Sequence, residues 1–155
     1  MVKVQTNIPR EIIDKFLRQK ELYRDGFDDL LPEPDRISFV RELESEHLID
    51  FGLFFGEQML MIVLFRPLNS ICAEIWVAAL PICRGRIVKQ FMLEVMNDLF
   101  LKTQIRKIVA KIPEDHRASI GMARATGFHL EGRITRAVLH GGALQDYLIY
   151  GVNAS

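Results

Sequence analysis

Between residues 71 and 128 the apolar side chains change their spacing three times, and that alternation restricts the chain to a small set of folds. Residues 71–79 form a run of strand length. Val88, Phe91, Met92, Val95, Met96 and Leu99 then recur at three and four residues, which predicts one amphipathic helix over about 87–101 with its Met-rich face in the core. Residues 107–112 return to strand character and end at Pro113. Residues 115–126 predict a second helix, with Asp115 as an acidic cap candidate and Gly127 as the residue beyond its end. A strand, a helix and a further strand in one sheet join by a right-handed crossover, so the strands at 71–79 and 107–112 should lie parallel.

The flanking segments fit around this unit. Val2–Gln5 is a short strand candidate, and Pro9 suits the first turn of a helix carrying Ile12, Ile13, Phe16 and Leu17. The segment 28–35, DDLLPEPD, predicts a loop, and Ile37, Val40 and Leu43 a second short helix. Residues 47–55, 58–65 and 71–79 predict an antiparallel meander with turns at Gly56-Glu57 and 67–70. The middle run is apolar on both faces, as a central strand is. Two last strands, 128–139 and 145–152, are joined through His140-Gly141-Gly142-Ala143, whose glycines allow a hairpin.

Bulk properties exclude several function classes. Lys and Arg number 20, as do Asp and Glu, and zero net charge argues against a non-specific nucleic-acid coat or a membrane-surface protein. The basic stretch 102–111 is the only support for nucleic-acid binding. No apolar run reaches the ~20 residues that a membrane-spanning helix needs. Cys72 and Cys83 sit in no metal-binding spacing, so free buried thiols and no metal are expected. The N-terminal MVKVQTNIPREIIDKF lacks a long apolar core, so no signal peptide is expected; with free thiols this predicts a cytoplasmic protein.

The order of elements resembles that of the acyl-CoA N-acyltransferase (GNAT) superfamily, and residues within 73–128 resemble its motifs. Ala73-Glu74-Ile75-Trp76-Val77 is similar to the fourth strand of that family, where an Ala-Glu-Ile run is common. Arg84-Gly85-Arg86 resembles the start of its pyrophosphate loop, R/Q-x-x-G-x-G/A leading into a helix. PEDHRASIGMARATGF, at 113–128, resembles its second signature, in which an Asn or similar residue opens a helix and Gly-Phe closes it. The resemblance implies a single α/β (α+β) domain over 1–155, with a mixed, mostly antiparallel sheet flanked by helices on both faces. It implies direct transfer of an acyl group, first of all acetyl, from acetyl-CoA or another acyl-CoA to a small-molecule or protein amine. A homodimer paired through the last strands is common in the family.

The chemistry of such a transfer assigns candidates. Free amides at a helix N-terminus bind a pyrophosphate, so Arg84, Gly85, Arg86, Ile87 and Val88 are the cofactor-phosphate candidates, with Lys89 adding charge. A solvated basic turn is the alternative. Glu74 is the general-base candidate; apolar neighbours on its strand face would make it a better base, and a simple ion pair with a nearby Arg or Lys is the alternative. Backbone amides of Val77, Ala78 and Ala79 are oxyanion and cofactor candidates, since the resemblance implies a bulged fourth strand that splays from the fifth. His116 stands at the family's Asn position, with Ser119 beside it. Tyr147, or Tyr150, is the acid candidate, because the family's helix Tyr is here Ala123. Counting from Arg84, the two later loop glycines are Ile87 and Lys89. Those three replacements motivate a second reading: a catalytically inactive GNAT-like binding or structural protein, virion-associated, of phage or prophage source.

Overall fold

The computed structural model describes residues 1–19 and 48–155. The loop expected at 28–35, the helix expected around Ile37, Val40 and Leu43, and His47 lie outside the described residues. Within them the order is β1 (Val2–Thr6), α1 (Arg10–Leu17), β2 (Ile49–Phe55), β3 (Gln58–Pro67), β4 (Cys72–Ala79), α2 (Arg86–Lys102), β5 (Lys107–Pro113), α3 (Arg117–Ala125), β6 (His129–His140) and β7 (Ala143–Asn153). The strands form one seven-stranded sheet in the order β1-β2-β3-β4-β5-β7-β6. Only β4 and β5 pair in parallel; every other neighbouring pair is antiparallel.

Alternation along the strands divides the core. Met61, Val63 and Phe65 of β3 face the α2 side, where Ala73 and Ile75 of β4, Ile108 and Ile112 of β5, and the helix stripe Val88, Phe91, Met92, Val95, Met96 and Leu99 complete the larger cluster. Ile62 and Leu64 face the other way, against Ile13, Phe16 and Leu17 of α1. Helices therefore cover both faces, and β3 is apolar from Met59 to Phe65 because both of its faces are covered there. Burying each of the larger side chains contributes about 1.5–3 kcal/mol. One bulge refines the pattern. Leu53 pairs with Met61 but Phe54 with Met59, so Leu60 is the extra residue and Met59 joins the α1-side cluster.

Local chemistry sets the element ends. Gly56, with φ of 60°, opens the two-residue turn between β2 and β3. The β3–β4 turn is closed by the Asn69 side chain, whose Oδ1 accepts from the amides of Ile71 and Cys72, each at 2.9 Å. The last hairpin is tighter than its composition suggested: Gly141 and Gly142 alone form the turn, with φ of 62° and 78°. After α3 the amide of Phe128 donates to the Ala123 carbonyl at 2.9 Å and that of Gly127 to Arg124 at 3.2 Å. This is a Schellman ending, with Gly127 at φ of 95° and Phe128 buried beyond it.

Two expected helix starts are corrected. Pro9 is not in the first turn of α1 but just before it, with ψ of 138°, and its carbonyl accepts from Ile12 and Ile13. Asp115 does not cap α3. His116 is the N-cap and makes no side-chain cap bond, while the Asp115 carboxylate is engaged by His140 and Gln145 of the β6–β7 hairpin.

The edge strand β6 carries a second irregularity. Ile134 pairs with Tyr147 and Val138 with Gln145, so β6 holds extra residues there, and Arg136 takes a φ of 50°. The Asp146 carboxylate anchors this detour, accepting from the Arg136 amide at 2.8 Å and from Arg133 at 2.6 Å. Those two bonds hold its carboxyl below the usual range.

Tyr150 is buried among the α2-side residues, and its hydroxyl oxygen has no hydrogen-bond partner among the described residues. A buried hydroxyl without a partner costs about 1–3 kcal/mol. Tyr150→Phe keeps the ring and removes the cost, so its melting temperature should rise by a few degrees. A fall in a thermal melt would mean that the hydroxyl is bonded after all.

Candidate active site

The β4–β5 pairing is short. It joins Cys72 to Lys107, Ala73 to Ile108 and Glu74 to Val109, and goes no further. Yet β4 runs on to Ala79 and β5 to Pro113. The two strands part beyond Glu74, and a slot opens toward their C-terminal ends. The expected bulge in β4 is absent: its register with β3 is unbroken from Ala73 to Ala79. The parting needs no bulge, because β4 stays with β3 while β5 stays with β7 over its whole length.

Register also decides which backbone groups face the slot. The Leu80 amide donates to Leu60 and the Cys72 carbonyl accepts from Leu68, so even-numbered residues of β4 bond to β3. Odd-numbered residues turn the other way, as the Ile71 carbonyl does in accepting from Arg106 and Lys107. Val77 and Ala79 therefore direct their amides into the slot. The Ala78 amide, grouped with them on sequence grounds, points to β3 instead.

The N-terminus of α2 lies at the same end of the sheet, since the helix follows β4 through residues 80–85. Gly85 is its N-cap, with φ of 71° and ψ of −137°, no side chain caps the first turn, and that turn contains no acid. A Cβ added at Gly85 would meet nothing within 4 Å, so open space adjoins the backbone there. Ile87 is half-buried and packs against the core, and Val88 is buried within it. Arg84, Arg86 and Lys89 are exposed, and the Arg84 guanidinium bonds back to the Pro81 carbonyl. Cys83 is buried just before this turn, and burial pushes its thiol up; Cys72 is only half-buried, and both are free.

Glu74 sits at the apex of the slot, on the α1 side of the sheet. Its neighbours are cationic rather than apolar. Arg66 Nη2 lies 3.3 Å and Lys111 Nζ 3.4 Å from Glu74 Oε2. The Lys111 ammonium is also 5.9 Å from the centre of the Tyr147 ring. Tyr147 pairs with Pro113 at the end of β5 and is on the face opposite Tyr150. The fold thus brings Glu74 and Tyr147 together through Lys111, whereas Tyr150 is turned away into the core. Trp76 is next to Glu74 on that face of β4 and is half-buried.

His116 and Ser119 are half-buried at the head of α3, beyond the end of β5. His116 lies edge-on to His140, with ring centres 5.8 Å apart, and His140 Nδ1 is 2.9 Å from Asp115 Oδ1. Among the described residues no group of three or more His, Cys, Asp or Glu side chains could hold a metal, and no helix is long and apolar enough to cross a membrane.

Comparison of the sequence with protein-family models and with curated proteins finds no match. Solved structures do match in fold. A chimera of spermidine N-acetyltransferase from Vibrio cholerae superposes with a TM-score of 0.79 at 14% identity, over 98% of this chain and 95% of that one. The chain has the GNAT fold. An acetyl transferase from Salmonella typhimurium that modifies the N-terminal serine of a 50S ribosomal subunit protein gives 0.79 at 17% identity, over 99% and 95%. A ribosomal-protein-S5-alanine acetyltransferase from Vibrio fischeri gives 0.75 at 14%, over 98% and 92%.

Proposed function

We propose that this chain is an acyl-CoA-dependent N-acyltransferase, acting first of all with acetyl-CoA on a small-molecule or protein amine. One observation carries the reading: β4 and β5 part after Glu74 and Val109 at the end where α2 begins with exposed amides and no acid. The coenzyme supplies an activated thioester and a pyrophosphate. The amides of 86–88 and the Gly85 turn are arranged to receive the phosphates, with Arg84 and Arg86 adding charge. The Val77 amide is free of the β3 ladder and can donate to the acyl oxygen as it gains charge. Ala79 supplies a second edge group for the arm of the coenzyme, and Ala78 lends only its small side chain. His116 and Ser119 bond the coenzyme from the head of α3. Glu74 serves as base for the amine and Tyr147 as acid for the leaving thiolate. The similar structures named for acetyl transfer to spermidine and to ribosomal proteins support an amine acceptor. A cytoplasmic location and a homodimer through the last strands belong to the same reading.

The two ion pairs on Glu74 favour a second reading, a GNAT-like binding or structural protein without catalysis. Calorimetric titration with acetyl-CoA separates them from a fold that binds no coenzyme. Saturable heat is expected, and none at millimolar coenzyme would remove the transferase. Glu74→Gln is then expected to lower turnover by about 10²-fold or more at unchanged coenzyme affinity, and equal rates would take Glu74 out of the mechanism.

A further inference from the structure

The residues between β5 and α3 are clasped from outside by the β6–β7 hairpin. The Glu114 amide donates to the Asp146 carbonyl at 3.0 Å, and the Asp146 amide donates to Glu114 Oε1 at 3.2 Å. Arg133 of β6 reaches Glu114 Oε2 at 3.0 Å. One residue on, His140 Nδ1 stands 2.9 Å from Asp115 Oδ1, and Gln145 Nε2 donates to Asp115 Oδ2 at 3.3 Å. The next residue, His116, lies edge-on to the His140 ring. Consecutive residues 114, 115 and 116 thus each meet the hairpin. No side-chain cap bond holds the start of α3, so the hairpin supplies a hold that the helix lacks by itself.

The place of this clasp in the fold gives it a bearing on the coenzyme. β4 and β5 run parallel, so α2 and α3, which follow them, both start at the end where the two strands part. His116 is at that start and half-buried. The His140 side chain is only 12% exposed and its Nδ1 is committed to Asp115, which leaves little of it for a ligand to touch. A carboxylate only accepts hydrogen bonds, so His140 Nδ1 carries a proton and Asp115 fixes the direction of the ring. A ring so fixed, 5.8 Å from its neighbour and turned 82° to it, limits the directions the His116 ring can take. A side chain oriented beforehand binds a ligand more tightly, because less freedom is lost on binding. We infer that Asp115 and His140 are positioning residues for the coenzyme: Asp115 fixes the His140 ring, and that ring fixes His116 in the direction from which it bonds the coenzyme. The inference rests on the transferase reading and adds to it two residues that act through His116.

Calorimetric titration of the whole chain with desulfo-CoA, a coenzyme that cannot react, tests this. His140→Ala should weaken binding about tenfold, as loss of one oriented hydrogen bond does. His116→Ala should weaken it similarly. Adding His140→Ala to His116→Ala should weaken it no further, because a residue that acts only through another has no effect once that one is gone. A purely structural role for the hairpin would lower affinity as much without His116 as with it. Asp115→Ala, a milder change should His140→Ala fail to fold, is expected to repeat the loss. Asp115→Asn keeps a side-chain oxygen that accepts from Nδ1 and carries no charge, so it should restore most of the affinity. Unchanged affinity in His140→Ala, Asp115→Ala or His116→Ala, a full further loss in the double variant, or no rescue by Asp115→Asn overturns the inference while leaving the transferase standing. Failure of the unaltered chain to bind desulfo-CoA removes the transferase reading, and the inference with it.

Discussion

Val77→Pro is expected to cut acyl transfer by about 10²–10³-fold with only a small loss of stability. Ala78→Pro, one residue further, is expected to cost about 3 kcal/mol of folding free energy. The two differ only in where their amides point. Even-numbered residues of β4 bond to β3, as Leu80 does to Leu60, so proline at 78 removes a rung from a buried ladder. The Val77 amide faces the slot, beyond the last β4–β5 pair, so proline there removes only the donor that the proposed transfer assigns to the acyl oxygen. Proline fits a strand where its missing N–H is not used by a neighbour. Thermal melts and acetyl-transfer rates on both variants check this. If Val77→Pro melts as low as Ala78→Pro, the register assignment is wrong. If it melts normally and remains fully active, the Val77 amide has no part in the chemistry.

Phe65→Ala should show the largest loss of stability, about 3–5 kcal/mol in urea unfolding. Phe65 is fully buried, with its ring 5.9 Å from that of Phe51 and turned 85° to it. It pairs with Ile75 of β4, the first residue past the β4–β5 ladder, so the cavity would open beneath the slot. A whole domain is stable by about 5–15 kcal/mol, and the variant would keep only part of that. A loss under about 1 kcal/mol would mean that the surrounding side chains collapse into the space.

The GNAT-like order of elements was legible in the residues because the sheet and its helices bury opposite stripes at different periods. The helix stripe from Val88 to Leu99, the two-sided apolar β3 and the Gly127 ending all appear where those periods place them. Neither cationic contact of Glu74 was within reach of the same logic. The turn expected at 67–70 would set Arg66 opposite Ile71, whereas the observed loop centres on Ser70 and sets Arg66 opposite Glu74. The Glu74–Lys111 contact depends on the register of a parallel pair separated by a whole helix, which is set by packing rather than by a turn.

Ile87 makes the same distinction at the turn before α2. By position it looks like an obstacle where glycine is usual in the family, yet it is half-buried against the core. Asp115 is the converse case. Its sequence position suggests a cap, but the β6–β7 hairpin brings His140 to it across 25 residues, a partner that no local rule supplies.

Within the described residues the sequence by itself determined where strands and helices lie, which of their faces are apolar and which two strands run parallel, since hydrophobic period and crossover handedness are local or nearly local properties. Only the tertiary structure decided that β4 and β5 part after three pairs, that the Val77 amide rather than the Ala78 amide faces the opening, and that Glu74 is covered by Arg66 and Lys111. Those outcomes depend on how strands distant in the chain settle against one another, and the competition between β3, β5 and β7 for backbone partners has no counterpart in any single stretch of residues.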